Sequence, residues 1–289
     1  MATLRQWAQG ARPRTFPNAL APVLLGSGAA AALGAFVWWK ALAALIVSVG
    51  FIVGVNYAND YSDGVRGTDD DRVGPMRLVG SRAASPKAVL RAAVASFAVA
   101  CAAGLFLAAT STWWLVALGV CCLLAAWFYT GGSNPYGYQG FGEVAAFLCF
   151  GLAAVLGTEL SQSGKTDATG ALCAVGAGAF SAAVLAVNNL RDIEGDSRNG
   201  KRTLAVRLGD ARTRHLYLGL VVVPFLVSGA LVAQRPTAVL SLAAVLLLVG
   251  PAMAVRRGAT GPTLVAVLGA TNLSMLAWSA ILSAALFLG

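Results

Sequence analysis

Asn188-Asn189-Leu190-Arg191-Asp192-Ile193-Glu194-Gly195-Asp196, continuing through Gly200-Lys201-Arg202-Thr203 to Gly209, is an island of charge between long apolar runs. At helical spacing Asn188, Asp192 and Asp196 stand at i, i+4 and i+8, so three oxygen-bearing side chains line one stripe. A second island repeats the pattern. In Asn56-Tyr57-Ala58-Asn59-Asp60-Tyr61-Ser62-Asp63, the residues Asn56, Asp60 and Asp63 stand at i, i+4 and i+7, again at the end of an apolar run. The islands lie about 132 residues apart and each precedes a basic loop, which reads either as a weak internal repeat or as convergence on one ligand. Two carboxylate stripes in so apolar a chain require a cation.

Of the 289 residues, 58% are hydrophobic and 11% charged, a balance that water-soluble globules of this size do not show. Crossing a ~30 Å hydrocarbon core takes roughly 20 helical residues. Apolar runs of about that length occupy 15–36, 41–60, 87–109, 112–130, 142–161, 168–190, 213–233, 237–255 and 263–287. Their length and lack of alternation predict helices. The chain reads as one polytopic all-α membrane domain, 1–289, with about nine spans. Pairs such as Gly26 and Gly28, or Gly176 and Gly178, let such helices approach closely where lipid supplies no hydrophobic drive.

The net charge of +9 would suit nucleic acid, but the bases follow topology instead. All of the 21 Lys and Arg except Lys40, Lys165 and Arg235 lie in the N-terminal segment or around the loops after spans two, six and eight. That asymmetry predicts a cell-membrane protein with the N-terminus and both acidic islands in the cytoplasm and the C-terminus outside. No nucleic-acid partner is implied. The five cysteines, Cys101, Cys121, Cys122, Cys149 and Cys173, sit in apolar runs without metal-type spacing and read as buried small hydrophobes. A single histidine, His215, excludes any mechanism that needs two.

Asp60, Asp63, Asp192 and Asp196, with the amide oxygens of Asn56 and Asn188, form a hard oxygen donor set that suits Mg²⁺. The competing reading of any one stripe is a solvated helix end. Two matching stripes on one membrane face, each followed by Arg and Lys, favour the cation. Such a Mg²⁺ commonly also holds phosphate, and Arg72, Arg77, Lys201 and Arg202 stand ready to neutralise the remaining charge. Arg12 and Arg14 suit either diphosphate or lipid headgroups. Tyr129, Tyr136 and Tyr138 suit either the site or the membrane interface. Glu143 is either a partner of the site residues or an ordinary helix-start acid. No Walker-type glycine loop is present. The ligand implied is a phosphate or diphosphate whose other end is hydrophobic enough to enter from lipid.

Asn56-x-x-Asn59-Asp60-x-x-Asp63 with Asn188-Asn189-x-Arg191-Asp192-x-x-x-Asp196 resembles the paired aspartate-rich motifs of the UbiA superfamily of intramembrane prenyltransferases. Arg12-Pro13-Arg14-Thr15, Asn134-Pro135-Tyr136-Gly137-Tyr138 and Asn199-Gly200-Lys201-Arg202-Thr203 narrow the resemblance to the 1,4-dihydroxy-2-naphthoate polyprenyltransferases of menaquinone biosynthesis. It runs from about Arg12 to Gly209. Two positions depart from the family pattern: Asp60 and Asp63 are three apart where many relatives space the pair by four, and Ser133 replaces a frequent Lys.

The resemblance implies a helical bundle around a central cavity, open to lipid and capped by cytoplasmic loops. It implies Mg²⁺ held by Asn56, Asp60, Asp63, Asn188, Asp192 and Asp196, and diphosphate held by Arg14, Arg72, Arg77, Lys201, Arg202 and Tyr136. Asp60, Asp192 and Tyr129 would carry the chemistry, with Tyr129 sheltering an allylic cation on its ring face. The reaction implied is transfer of a polyprenyl group from polyprenyl diphosphate to 1,4-dihydroxy-2-naphthoate, with loss of diphosphate and CO2. Two alternatives remain at this level: another aromatic acceptor, and a cation-coupled transporter. The acids crowd one membrane face instead of the midplane where transporter sites usually lie. Asp60 to Gly64 also matches the opening of the CDP-alcohol phosphotransferase motif, but Gly67-Thr68 break its continuation.

Overall fold

The computed structural model describes residues 2–67 and 76–289. Arg72 lies outside the described residues. Among those described there is no β-strand, and the helices in chain order are α1 (Leu4–Gly10), α2 (Pro17–Ala32), α3 (Trp38–Arg66), α4 (Pro86–Ala109), α5 (Trp114–Phe128), α6 (Gly142–Ala146), α7 (Ala154–Ser163), α8 (Ala168–Arg198), α9 (Leu204–Val232), α10 (Leu246–Arg256) and α11 (Gly261–Leu288). A π-helical turn, Phe147–Ala153, joins α6 to α7, and a 3-10 stretch, Pro236–Val245, leads into α10.

The ends follow local chemistry. Ser85 and Asp167 accept hydrogen bonds from the Ala88 and Gly170 amides, capping α4 and α8. Pro17 and Pro86 occupy the first turns of α2 and α4, where a missing N–H costs nothing. Gly67, left-handed at φ 73°, closes α3.

Among the described residues, seven helical stretches are long and apolar enough to cross a membrane: Trp38–Arg66, Pro86–Ala109, Gly142–Ser163, Ala168–Arg198, Leu204–Val232, Pro236–Arg256 and Gly261–Leu288. The other two expected segments are helical but shorter, 16 residues in α2 and 15 in α5. Length alone therefore supports seven crossings. A further difference concerns the basic loop expected after the second island, between the apolar runs 168–190 and 213–233. Most of it is helix: α8 runs on to Arg198, and Thr203 accepts from the Val206 amide to start α9 at once. Gly209, left-handed at φ 76°, bends α9 between its basic first turns and its apolar remainder.

The bundle has two packed parts. α8, the most enclosed of the long helices, is surrounded by α2, α9 and α11, with Phe180, Tyr217 and Trp278 fully buried between them. α3 and α4 form the other part, closed at the charged end by Leu78 and Val79. Small residues permit the contacts: a Cβ on Gly26 would stand 2.4 Å from the Val155 carbonyl, and one on Gly151 2.4 Å from the Gly178 Cα. Hydroxyls tie the helices where lipid cannot, as in Tyr217 to Thr271 at 2.8 Å, Ser228 to Ser241 at 2.7 Å and Trp278 to Ser228 at 2.9 Å.

Candidate active site

Between the two parts lies a cavity of about 1000 Å³. Its long wall is apolar, built from α3, α4, α5 and the α7 region, and its head gathers the charged residues of both islands. The stripes do meet. Asn56 and Asp63 from α3 face the same chamber as Asn188, Asp192 and Asp196 from α8, with Arg77, Lys201 and Tyr129 beside them.

Asp63 is the centre of the α3 side and only 3% exposed. Lys201 Nζ stands 3.2 Å from its Oδ1 and an Arg77 guanidinium nitrogen 3.5 Å from its Oδ2. The Tyr138 hydroxyl also meets Oδ1. A buried carboxylate left alone would be very costly, so these partners are what allow it there. Lys201 arrives because Gly200, left-handed at φ 71°, turns the chain back after α8. The Lys201 amide then donates to the Asp196 carbonyl at 2.8 Å, so one residue joins both stripes. Its ammonium also lies 4.6 Å from the centre of the Tyr138 ring.

On α8, Arg191 grips Asp192 with two bonds of 2.7 Å and reaches Asn188 Oδ1 at 3.0 Å. Behind it the Asn189 amide donates to Glu143 Oε1 at 2.9 Å. Glu143 is 5% exposed and does not line the cavity, so it is a buried partner of a lining residue and not a solvated helix-start acid.

Three expected residues are placed elsewhere. Asp60 is 1% exposed and turned out of the cavity, and its two oxygens accept the amides of Leu78 at 2.7 Å and Val79 at 3.0 Å. Helical spacing put it on the stripe, but the returning segment takes it as an anchor that fixes the backbone beside Arg77. Arg202 is exposed and off the cavity; its amide donates to the Tyr138 carbonyl at 2.8 Å, and its own carbonyl accepts from Arg207. Tyr136 borders the cavity, but its hydroxyl donates to the Ala125 carbonyl at 2.6 Å, and burial pushes its phenol above the ordinary range. It is an anchor, with its ring edge-on to Tyr129 at 5.7 Å.

Arg14 is exposed at the cavity rim. Asn56 lines the chamber while its amide donates to Ala11 at 2.9 Å and Thr15 at 3.0 Å, pinning the N-terminal segment to α3. Tyr129 lines the lumen. Asn59, quoted in the motif but not given a role, also lines the cavity and accepts from the Thr130 hydroxyl at 2.7 Å. Its place next to Asp60 in Asn-Asp was the available signal. The cysteines depart from expectation too: only Cys173 is buried, and Cys121 is exposed.

No three of the acids stand close enough among the described residues to form a ready-made cage. The donor set still fits Mg²⁺, which characteristically uses one or two carboxylates and completes its shell with water and substrate phosphate.

An all-helical bundle with a charged head and a long apolar chamber defines a membrane protein that handles a ligand with an anionic head and an apolar tail. The UbiA prenyltransferase family matches residues 19–262, and the chain belongs to that family. It is 56% identical over 289 residues, 100% of this chain and 99% of the other, to a 1,4-dihydroxy-2-naphthoate octaprenyltransferase of Mycobacterium tuberculosis. Another of that name from Escherichia coli is 36% identical over 74% of this chain and 72% of its own length. Among solved structures, the apo form of a UbiA homolog from Aeropyrum pernix superposes with a TM-score of 0.71 at 17% identity, covering 94% of this chain and 97% of that one. A UbiA homolog from Archaeoglobus fulgidus, bound to GPP and Mg²⁺, gives 0.68 at 15% identity, over 96% and 99%.

Proposed function

We propose that the chain transfers a polyprenyl group from polyprenyl diphosphate to 1,4-dihydroxy-2-naphthoate, releasing diphosphate and CO2 and giving demethylmenaquinone. Identity of 56% along the whole length with a protein named for that reaction carries the reading. The cavity supports it, since one end offers acids and bases for a diphosphate and the rest an apolar wall for a prenyl tail. The alternative UbiA acceptors share the same head group, so the acceptor is the finer part of this reading.

Asp63, Asp192 and Asp196, with the Asn56, Asn59 and Asn188 oxygens, are the residues that would hold Mg²⁺. When bound, the ion would draw charge from the departing diphosphate. Arg77 and Lys201, which both pair with Asp63 in the head of the cavity, would turn to diphosphate oxygens and offset the charge that develops as the C–O bond breaks. Arg14 at the rim meets the head group first. Tyr129 presents its ring to the allylic carbon, and the apolar wall keeps water from trapping it. The acceptor ring then forms the new C–C bond. The charged head faces the cytoplasm of the cell membrane and the C-terminus the outside, as the basic residues direct.

Purified protein in detergent, given Mg²⁺, a polyprenyl diphosphate and one aromatic acid at a time, tests this. The naphthoate is expected to yield prenylated product and diphosphate, and 4-hydroxybenzoate neither. Prenylation of 4-hydroxybenzoate with none of the naphthoate would overturn the acceptor, and diphosphate release from no acid would overturn the reaction.

A further inference from the structure

One polar side chain at the head of the cavity has no part in the reaction as drawn above. Asn189 lines the lumen and is 7% exposed. It follows Asn188 by one residue, about 100° around α8 at 3.6 residues per turn, so it stands off the acidic stripe. Its amide nitrogen donates to Glu143 Oε1 at 2.9 Å. An ionised carboxylate only accepts, so it fixes which end of the amide it meets. Glu143 lies outside the lumen, which leaves the Asn189 oxygen as the end turned toward it. Among the described residues no donor meets that oxygen. Glu143 in turn is buried, and its Oε2 has no hydrogen-bond partner among the described residues. A buried carboxyl with half its capacity unused is costly. The side-chain bond it does make orients one amide of the cavity wall. The pair stands on the Tyr129 side: a Cβ on Gly142, the neighbour of Glu143, would lie 3.4 Å from the Tyr129 hydroxyl oxygen. The same Cβ would lie 3.1 Å from Leu185, one helical turn before Asn189.

We propose that Asn189 recognises a hydroxyl of the aromatic acceptor, and that Glu143 is the positioning residue that holds the Asn189 oxygen toward the lumen. The proposal rests on the aromatic acceptor argued above. An amide oxygen accepts a hydrogen bond, and so do the oxygens of a diphosphate, so the two have nothing to exchange; a phenolic hydroxyl donates and matches. Asn188 is different, because Arg191 already occupies its oxygen at 3.0 Å. Tyr129 is where the allylic carbon is held, so a ring bonded to Asn189 stands beside the carbon it attacks. A site built to bond a hydroxyl also rejects an analogue that lacks it, since its own polar group is then left unpaired.

The test compares equilibrium binding of 1,4-dihydroxy-2-naphthoate and its 1,4-dimethoxy analogue to the full chain in detergent, with KM for polyprenyl diphosphate and for Mg²⁺ and a thermal melt on each sample. In Asn189→Ala and in Glu143→Leu the diol is expected to bind about tenfold more weakly, the loss of one hydrogen bond, and the diether as in the parent. KM for the diphosphate and for Mg²⁺ is expected to stay unchanged. Glu143→Gln keeps an accepting oxygen and places its NH2 where Oε2 bonds to nothing, so diol affinity is expected within about twofold of the parent. Combining Asn189→Ala with Glu143→Leu is expected to cost no more than either alone, since both remove one bond. Should Glu143→Leu fail to fold, Asn189→Ala and Glu143→Gln decide the matter. Equal loss of diol and diether, or a raised KM for diphosphate or Mg²⁺ with diol binding intact, overturns the proposal. If the parent prenylates 4-hydroxybenzoate and none of the naphthoate, the naphthoate reading fails, and the same comparison with 4-hydroxybenzoate and 4-methoxybenzoate decides the role of Asn189.

Discussion

Lys201 and Asp63, 138 residues apart in the chain, meet at 3.2 Å in the head of the cavity. The contact closes the chamber from two sides, because Lys201 is also bound through its backbone to Asp196 on the opposite stripe. Without it, Asp63 would keep Arg77 and Tyr138, and the fold would survive. Lys201→Met is therefore expected to melt within a few degrees of the parent but to lower kcat/KM about tenfold or more, the equivalent of one charged hydrogen bond of roughly 1.5–3 kcal/mol. Diphosphate release and a thermal melt on the same sample check both halves.

The three acids of α3 and α8 that face the cavity, Asp63, Asp192 and Asp196, separate from Asp60, which does not. Asp192→Asn and Asp63→Asn are expected to lose about 100-fold or more in turnover while remaining folded. Asp60→Asn cannot accept both the Leu78 and Val79 amides, and leaving one buried N–H unpaired costs about 1–3 kcal/mol. Its signature is a lowered melting temperature with a raised KM, as the backbone beside Arg77 loosens. A normal melt with abolished turnover would return Asp60 to the metal.

Tyr136 and Tyr138 stand two residues apart with opposite duties. Tyr138→Phe removes a hydrogen bond to Asp63 and is expected to reduce kcat. Tyr136→Phe removes only the bond to the Ala125 carbonyl, so about 1 kcal/mol of stability is lost and the rate changes little. Paired kinetics and melts distinguish them.

Gly170 fits against Glu159 at the far end from the charged head. A Cβ there would stand 1.9 Å from Glu159 Oε2, so Gly170→Ala is expected to destabilise the chain. Adding Glu159→Ala removes the obstructing carboxylate and should recover most of the loss. A double-mutant cycle by thermal melting gives the coupling.

Chelation tests the ion. Removing divalent cations with EDTA is expected to stop transfer, and Mg²⁺ in excess to restore it. Full activity in EDTA would refute the assignment of Asp63, Asp192 and Asp196 as ligands.

Much of this was readable before any coordinates. The runs of apolar residues gave most helix limits to within a few positions, because in lipid each backbone amide must be satisfied within its own segment, whereas α3, α8 and α9 extend into the charged islands beyond the apolar runs. The paired motifs pointed to one chamber, and Asp63, Asp192, Asp196, Arg77 and Lys201 are in it. The misplacements share one cause. Periodicity states which face of a helix a residue occupies, but not which neighbour claims its side chain. Asp60 lies on a helix with Asp63, yet the amides of Leu78 and Val79 reach it first. Tyr136 is likewise taken by Ala125, and the 3-10 turn leaves Tyr138 to face Asp63. Arg202 follows Lys201 directly, so the turn that delivers one to the chamber sends the other to solvent.

The sequence by itself determined the membrane class, the family and the two acidic stripes, since these depend on composition and spacing along single helices. Only the tertiary structure decided which acid serves the cavity and which holds the backbone, and that Lys201 meets Asp63. Those outcomes depend on distances between segments far apart in the chain. Helix packing sets them, and no local pattern encodes them.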